Sequence, residues 1–496
     1  NNSASSSAPL SVTRVGRRVR FAWTLAAGTD GAEVELCRDR LCLRPELTLP
    51  AIGDTVTTTT DIAAGYHWWR ARGRRGATPG TTASAVWEFY VPPWRVGSAA
   101  PPPRAWGAMP DVNNDGRGDL IVSAPSGLST ATTRGGLAYL YLGILSGYAA
   151  TAAVTYNTVP TVRTGYGLRV TVLHDLDGDG DAELAVNGSG YTQLFDGATS
   201  PSASPARTYE IWNNAAPGGD LNGDGYGDVL LSDGTRVGVF LGSASGLATT
   251  SVRSVGGVSG VGVGDLNGDG YGDIAVQAST GRVSVFFGSP VGINTTAAYG
   301  IDGPRGYTLG RMALAGDVNA DGVPDLVFSA TLLGATGPSG AVVMFLVPGA
   351  LSPPPAPVML TPPAGRVLDF GAAVGAAGDV TGDGVDDLAV GTGVNDSTYS
   401  NYACVFVGAS PTPALAPTQC IAQPGLGRYG SSVGAAGDVN RDGNEDLVVG
   451  ARAEGILARG TVRLYPGRAS GVVDVALDTL TGEVGASFGA ELAGWR

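Results

Sequence analysis

The chain has 496 residues, a formal net charge of −13, 78 glycines and only 15% charged residues. Its length exceeds what one hydrophobic core usually supports, and its glycine content suits short strands and tight turns rather than helices. There is no lysine, which excludes Schiff-base catalysis, and no run of 18 apolar residues that could cross a membrane as a helix.

Residues 1–7, Asn1 to Ser7, are polar and read as the tail left after processing. Residues 8–92 are expected to form a small β-sandwich. Val19–Trp23, Ala32–Cys37, Val56–Thr60, Tyr66–Arg72 and Val86–Val91 are β-rich segments split by turn signals. With Trp23 on an early strand and Gly65-Tyr66-His67-Trp68-Trp69-Arg70-Ala71-Arg72 on a later one, this stretch resembles a fibronectin type III domain. The resemblance implies a spacer or binding platform. The Pro-rich stretch 93–104, with Pro101-Pro102-Pro103, reads as a semi-rigid linker. Cys37/Cys42 here, and Cys404/Cys420 later, form two locally spaced pairs that fit hairpin disulfides and an oxidising compartment; the alternative is buried free thiols.

From Ala105 onward one acidic loop, D-x-[DNT]-x-D-G-x-x-[DE], returns seven times, its copies starting 64, 45, 45, 52, 62 and 59 residues apart. Such a period marks a repeat architecture. Positions 1, 3, 5 and 9 are Asp111, Asn113, Asp115 and Asp119 in the first copy, and Asp175, Asp177, Asp179 and Glu183 in the second. They are Asp220, Asn222, Asp224 and Asp228 in the third, and Asp265, Asn267, Asp269 and Asp273 in the fourth. The fifth has Asp317, Asn319, Asp321 and Asp325; the sixth Asp379, Thr381, Asp383 and Asp387; the seventh Asp438, Asn440, Asp442 and Asp446. Position 7 offers the backbone carbonyl of Arg117, Asp181, Tyr226, Tyr271, Val323, Val385 or Asn444.

Oxygens at alternate positions of a tight turn point inward, which suits calcium, a hard cation needing about six to eight oxygen ligands. Gly225, at position 6 of the third copy, permits the bend. An EF-hand would need a Glu at position 12, but Val122, Val186, Leu231, Val276, Phe328, Val390 and Val449 stand there. Strand-like runs such as Leu120-Ile121-Val122 follow instead, so the cage belongs to a β-turn. The alternative is that Asp, Asn and Gly simply make turns. Thr381 marks the sixth site as weaker or water-assisted. About seven structural Ca2+ ions would also account for the acidity: the first 100 residues hold 12 arginines against 8 acids, while the cages hold 22 carboxylates. The acidity therefore indicates no basic partner and no nucleic acid.

Each repeat has a strand before the cage, a second strand after it and a third beyond a variable loop, at Leu137–Leu142, Thr192–Phe195, Val237–Leu241, Val283–Phe287, Ala341–Leu346, Ala403–Val407 and Thr461–Tyr465. Four strands per repeat make one propeller blade. With Phe370-Gly371 and Phe488-Gly489, and the variants Tyr166-Gly167 and Tyr429-Gly430, residues 105–496 resemble the FG-GAP repeats of integrin α-subunit propellers. The expected fold is all-β, a seven-bladed calcium-binding propeller behind a β-sandwich. Ser487–Gly494 looks like one more first strand, which closes the ring on the first blade, belongs to a longer chain, or pairs with a neighbouring molecule.

No catalytic constellation stands out. His67 and His174 read as structural, Arg117-Gly118-Asp119 spells an adhesion tripeptide whose Asp is committed to a cage, and the propeller aspartates are held as cage ligands. The expected function is a secreted or cell-surface binding and adhesion protein, with a protein or glycan ligand. A fibre subunit that self-associates, or an enzyme acting on polysaccharide or lipid, is the alternative. The resemblance places ligand contacts on the face opposite the cages. There the connections Ser123–Gly136, Ser329–Gly340, Gly391–Tyr402 and Gly450–Gly460 are long, while Asn187–Tyr191, Ser232–Thr235 and Gln277–Gly281 are short. Long loops on a rigid scaffold are where binding concentrates, and Tyr399, Tyr402 and Arg428 are the candidate contacts; for Tyr402 the alternative is that it begins the third strand of its blade and packs inward.

Overall fold

The computed structural model describes residues 19–91 and 111–493, apart from 24–27, 38–41, 43–44, 54, 60–61, 63–64, 85–86, 114–117, 128–134, 145–146, 158–164, 174, 180, 225, 268, 270, 321–323, 333–339, 348–355, 364–369, 384, 393–400, 424–426, 441, 443 and 454–458. The polar tail, the Pro-rich linker, His174, Asp115, Arg117, Gly225, Asp321, Val323 and Tyr399 lie outside the described residues. The described residues are all-β, and no helix among them is long and apolar enough to cross a membrane.

Near the N-terminus, Pro45–Ile52, Gly31–Cys37, Gly65–Arg75 and Thr78–Ala83 pair in that order, with Trp87–Val91 also on Gly65–Arg75; Arg20–Ala22 pairs separately with Thr55–Thr57. Val19, Phe21, Val34, Leu36 and Ile62 form the core, and Phe21 meets Trp69 at 4.9 Å between ring centroids. Trp23 packs against this core, and His67 is buried within its strand. Pro45–Ile52 and Thr78–Ala83 were not expected from sequence. Both carry prolines, which mask the β signal, and both are edge strands, where a missing N–H costs no ladder bond.

Seven four-stranded antiparallel sheets follow. The second is Arg169–Val172, Leu184–Gly188, Tyr191–Phe195 and Arg207–Glu210; the third Asn214–Gly219, Asp228–Ser232, Arg236–Phe240 and Arg253–Gly256. The fourth is Ser259–Gly264, Asp273–Gln277, Val283–Phe286 and Tyr299–Ile301; the fifth Tyr307–Gly316, Asp325–Leu332, Gly340–Phe345 and Pro357–Leu360. The sixth is Ala373–Gly378, Asp387–Gly391, Asn401–Phe406 and Gln419–Gln423; the seventh Tyr429–Gly437, Asp446–Ala451, Thr461–Tyr465 and Asp478–Thr481. The first sheet is Leu120–Ala124, Leu137–Tyr141 and Val154–Tyr156, and its remaining strand is Leu492–Ala493, from the C-terminal end. Glu491 N donates to Ser123 Oγ at 2.8 Å and Gly489 N to Ser123 O at 3.0 Å, which fixes this register.

Cores lie between successive sheets. Val112, Ile121, Leu140, Val170 and Leu184 share one cluster, joining the first and second sheets. Leu120, Val122, Val448, Leu464 and Phe488 share another, which joins the seventh sheet to the first. First strands of successive sheets are neighbours in unbroken order, and Tyr429–Gly437 and Arg169–Val172 both neighbour Leu492–Ala493. No individual sheet closes on itself. Second strands such as Leu120–Ala124 and Leu184–Gly188 are buried at every position. Covered on both faces, they read as continuous apolar runs rather than alternating ones.

The Phe-Gly and Tyr-Gly dipeptides now have a physical role. Tyr166, Phe370, Tyr429 and Phe488 are fully buried, and Phe370 packs on Phe406 at 6.1 Å. The following glycine is left-handed: Gly371 has φ of 88°, and a Cβ there would sit 2.7 Å from Val342 Cγ2, on the preceding sheet. Only glycine fits that conformation without strain. The aromatic fills the space between sheets while the glycine lets two backbones meet.

Candidate metal centres

From the second repeat to the seventh each cage joins the first and second strands of its sheet, the first cage leads directly into Leu120–Ala124, and in the third to seventh a bulge sets the direction. The ladders shift register at Gly219, Gly264, Gly316, Gly378 and Gly437, all at positive φ and each directly before position 1 of its cage. A left-handed glycine in a bulge re-aims the chain. This Gly-Asp step was legible in the third to seventh repeats, yet it lay outside the motif as read.

Inside the loop, side-chain oxygens fold back on backbone N–H groups. Asp220 Oδ1 accepts from Gly223 N at 2.7 Å and Asp224 N at 3.1 Å, Asn222 Oδ1 accepts from Asp224 N at 3.2 Å, and Asp224 Oδ1 accepts from Tyr226 N at 3.0 Å. Asp265, Asn267 and Asp269 with Tyr271 repeat this, as do Asp438, Asn440 and Asp442 with Asn444. Asp379 and Asp383 do so with Val385, and Thr381 Oγ1 lies 3.4 Å from Asp379 Oδ1. Asp111, Asp317 and Asn319 are buried at their sites.

Position 9 has a second role that the sequence did not announce. Asp228 Oδ2 accepts from Leu221 N at 2.8 Å, inside the cage, while Oδ1 accepts from Gly242 N at 2.9 Å, just beyond the third strand. The same double clasp holds Asp119 to Val112 and Gly143, Asp273 to Leu266 and Gly288, and Asp325 to Val318 and Val347. It also holds Asp387 to Thr381 and Gly408, and Asp446 to Val439 and Gly467. Asp119, the last residue of the Arg117-Gly118-Asp119 tripeptide, is fully buried and so committed.

Electrostatics favour a cation. Asp175, Asp177, Asp179 and Glu183 can place one ligand oxygen each within 4.8 Å of all the others. Burial, then Asp175, raises the Glu183 carboxyl well above its usual range. Burial pushes Asp273 up to about 7 and Asp446 up to about 8, with the companion cage carboxylates adding to the shift and the two clasping N–H groups opposing it. Asp228 and Asp387 are raised for the same reasons. A buried position-9 carboxylate facing two or three further carboxylates is unfavourable without a counter-charge, and hard oxygens on a tight turn fit a divalent ion. Asp181 is buried beside the second cage, where position 7 would lend its carbonyl.

The cages also touch one another. Position 8 of a cage donates its N–H to the position-1 carbonyl of the preceding cage: Ala182 to Asp111 at 3.2 Å, Gly227 to Asp175 at 3.0 Å, Gly272 to Asp220 at 2.7 Å, Asp386 to Asp317 at 3.3 Å and Glu445 to Asp379 at 3.0 Å. Pro324 occupies this position in the fifth repeat and has no N–H to give.

Both cysteine pairs are disulfide-bonded. Cys37–Cys42 has a Cα–Cα distance of 5.1 Å, and Cys404–Cys420 ties directly opposed residues of the third and fourth strands of the sixth sheet at 4.0 Å. Of the expected ligand contacts, Tyr402 is corrected. It is 6% exposed, on the strand Asn401–Phe406 and within the core shared by the fifth and sixth sheets, because this strand starts earlier than its apolar run suggested. Arg428 is half-buried, at a φ of 51°.

An FG-GAP-like repeat matches residues 220–276, and an FG-GAP repeat matches residues 429–470. Integrin alpha-5 of Xenopus laevis is 32% identical over 128 residues, covering 24% of this chain and 12% of that protein. Integrin alpha-IIb of Mus musculus is 33% identical over 147 residues, covering 27% and 14%, and integrin alpha-4 of Xenopus laevis is 37% identical over 107 residues, covering 21% and 10%. The matched stretches thus span only a small part of those relatives. Residues 220–276 and 429–470 are thus FG-GAP-type repeats, and the chain is similar to integrin α chains over the matched stretches.

Proposed function

We propose that residues 105–496 form a seven-bladed, calcium-binding FG-GAP β-propeller, carried behind a fibronectin type III-like sandwich at 8–92 and a linker at 93–104. It would act outside the cell or on its surface as a non-enzymatic binding and adhesion protein for a protein or glycan ligand. Seven sheets with cores between successive members, and a C-terminal strand that completes the first sheet, support the ring. The ligands are those named for positions 1, 3, 5, 7 and 9, including Asp115, Arg117, Asp321 and Val323.

One observation carries the functional reading. Every cage sits at one end of its sheet, and the connections of unequal length leave from the other end. Metal would stiffen the first end and leave the second for recognition, on the blades with long connections. Arg428 and Tyr399 remain candidate contacts there. The disulfides agree with an oxidising compartment. Fibre formation through the terminal strand loses support, because Leu492–Ala493 pairs within its own chain. Screening protein and glycan arrays with and without calcium tests the proposal. Replacing Asn395–Ser400 by a Gly/Ser segment should abolish binding while calcium content and Tm stay put; binding that survives this replacement but is lost on altering 187–191, 232–235 and 277–281 would refute it.

A further inference from the structure

At the end of the sheets away from the cages, the first strands open onto one cavity of about 690 Å³. Arg169 comes to it from the second sheet, Asn214 from the third, Gln277 from the fourth, Arg311 from the fifth and Ser432 from the seventh, with Glu491 from the C-terminal segment. Arg311 Nη2 meets Glu491 Oε1 at 2.8 Å, a bond between non-adjacent sheets that crosses the mouth. Arg428 and Arg452 stand at its rim on the seventh sheet, each bonded to the lining residue Ser431, which donates its N–H to Arg428 O at 3.0 Å and accepts from Arg452 N on Oγ at 3.4 Å.

The charge balance is one-sided. Glu491 is the one carboxylate among the described residues that line the cavity, and it is already taken by Arg311. Arg169, Arg428 and Arg452 make no ion pair or side-chain hydrogen bond among the described residues. Partial removal from water, then Arg428 and Arg311, lowers the Arg452 pKa, as unrelieved like charge should. A concave wall of low dielectric focuses such a field, and a guanidinium fork matches a carboxylate with two parallel hydrogen bonds. Among the described residues that line the cavity none is aromatic, whereas Asn213, Asn214 and Gln277 suit a peptide backbone.

We propose that this axial mouth binds an acidic peptide segment of a protein partner, with Arg169, Arg428 and Arg452 receiving its carboxylates. The proposal rests on the binding-protein reading above and does not depend on the cages. Calorimetry on the full chain in calcium at low salt, with tetraglutamate and tetraglutamine as probes, tests it. Tetraglutamate should bind about tenfold or more tightly than tetraglutamine, and weaken sharply in about 0.5 M salt. Arg169→Ala and Arg452→Ala should each cut tetraglutamate affinity about tenfold with Tm in calcium unchanged, and Arg169→Lys should recover part of it. Arg253→Ala, which removes an exposed arginine opposite Val239 and away from the mouth, should leave peptide affinity intact. Equal binding of the two peptides, no binding of either, wild-type affinity in both Arg169→Ala and Arg452→Ala, or an equal loss in Arg253→Ala would overturn the proposal. Tighter binding of a uronate trisaccharide would overturn the peptide assignment. Peptide binding in a protein indifferent to chelator would count against the calcium reading alone.

Discussion

Removing calcium tests the cages most directly. A site with a dissociation constant of about 0.1 mM, in about 1 mM calcium, adds on the order of 1.4 kcal/mol to folding, so seven independent sites add about 10 kcal/mol. Residues 111–493 unfold with an entropy of roughly 0.8 kcal/mol/K, taking about 2.1 cal/mol/K per residue, and the loss then lowers Tm by about 12 °C. The structure gives reason to expect no less. Without metal, the raised carboxyls of Glu183, Asp228, Asp273, Asp387 and Asp446 face their cage neighbours with no counter-ion supplied by the loop. Calorimetric melts in excess calcium, in excess chelator, and in magnesium after chelation read the effect. Magnesium demands a tighter octahedral shell and should restore little. A melting curve identical in calcium and chelator would refute the metal argument, and the motif would then be a set of Asx turns only.

Four further outcomes follow from the geometry. Asp224→Ala should lose one bound calcium and matter little in chelator, whereas Asp228→Ala should also destabilise the metal-free protein by about 2 kcal/mol, since it strips two buried N–H groups of their acceptor; equal effects in chelator would contradict the clasp. The raised carboxyl pKa values favour the metal-free fold below about pH 4, where those groups are protonated in both states, and this contribution fades as pH rises through about 7 to 8. The gain in Tm on adding calcium should therefore grow between pH 4 and 8, and a gain that shrinks over that range would be inconsistent with it. Replacing Cys404 and Cys420 together by alanine should cost about 3 kcal/mol, given a separation of 16, read from denaturant melts in calcium. Hydrogen exchange in chelator should rise first at the seam between the fourth and fifth cages, where Pro324 removes the linking bond; uniform loss of protection around all seven cages would refute that.

Much of this was legible because the cage motif fixes register. Once Asp228 and Asp446 are set at position 9, the runs Val229–Leu231 and Leu447–Val449 must be the strands that leave the cages, and the third strands follow at the next apolar run. Sequence distance hid the rest. The clasp from Asp228 to Gly242 spans 14 residues, and the arginines of the axial mouth stand at 169, 311, 428 and 452, so no local window contains them. Between the second and third sheets, Trp212 replaces the Phe-Gly aromatic, packs on Phe240 at 5.4 Å and follows Ile211 at a φ of 69°. Tertiary packing supplied there what a dipeptide signature could not. Tyr402 failed for the opposite reason: its place beside a long loop suggested exposure, while the pairing of Ala403 and Cys404 with the neighbouring strand drew it into the core.

The cage end and the open end follow different physical rules, and this explains why the repeats can differ so much in length. At the cage end, the position-1 carbonyl of the first, second, third, fifth and sixth repeats receives an N–H from the next, and position 2 also accepts, as when Ser243 N donates to Leu176 O at 3.0 Å and Ser289 N to Leu221 O at 3.1 Å. These backbone bonds hold the loops of successive cages against one another, so the backbone path there is tightly constrained. At the open end, the C-terminal strand is held on the first sheet by a few bonds around Ser123 and tied to the fifth by the ion pair between Arg311 and Glu491. Insertions between second and third strands leave those bonds untouched, and lengthening a loop costs little, about 0.6 kcal/mol per doubling. On the proposed reading, stability and recognition fall to opposite ends of the same strands, and loop substitutions would then change what is bound without changing the affinity of the cages for calcium.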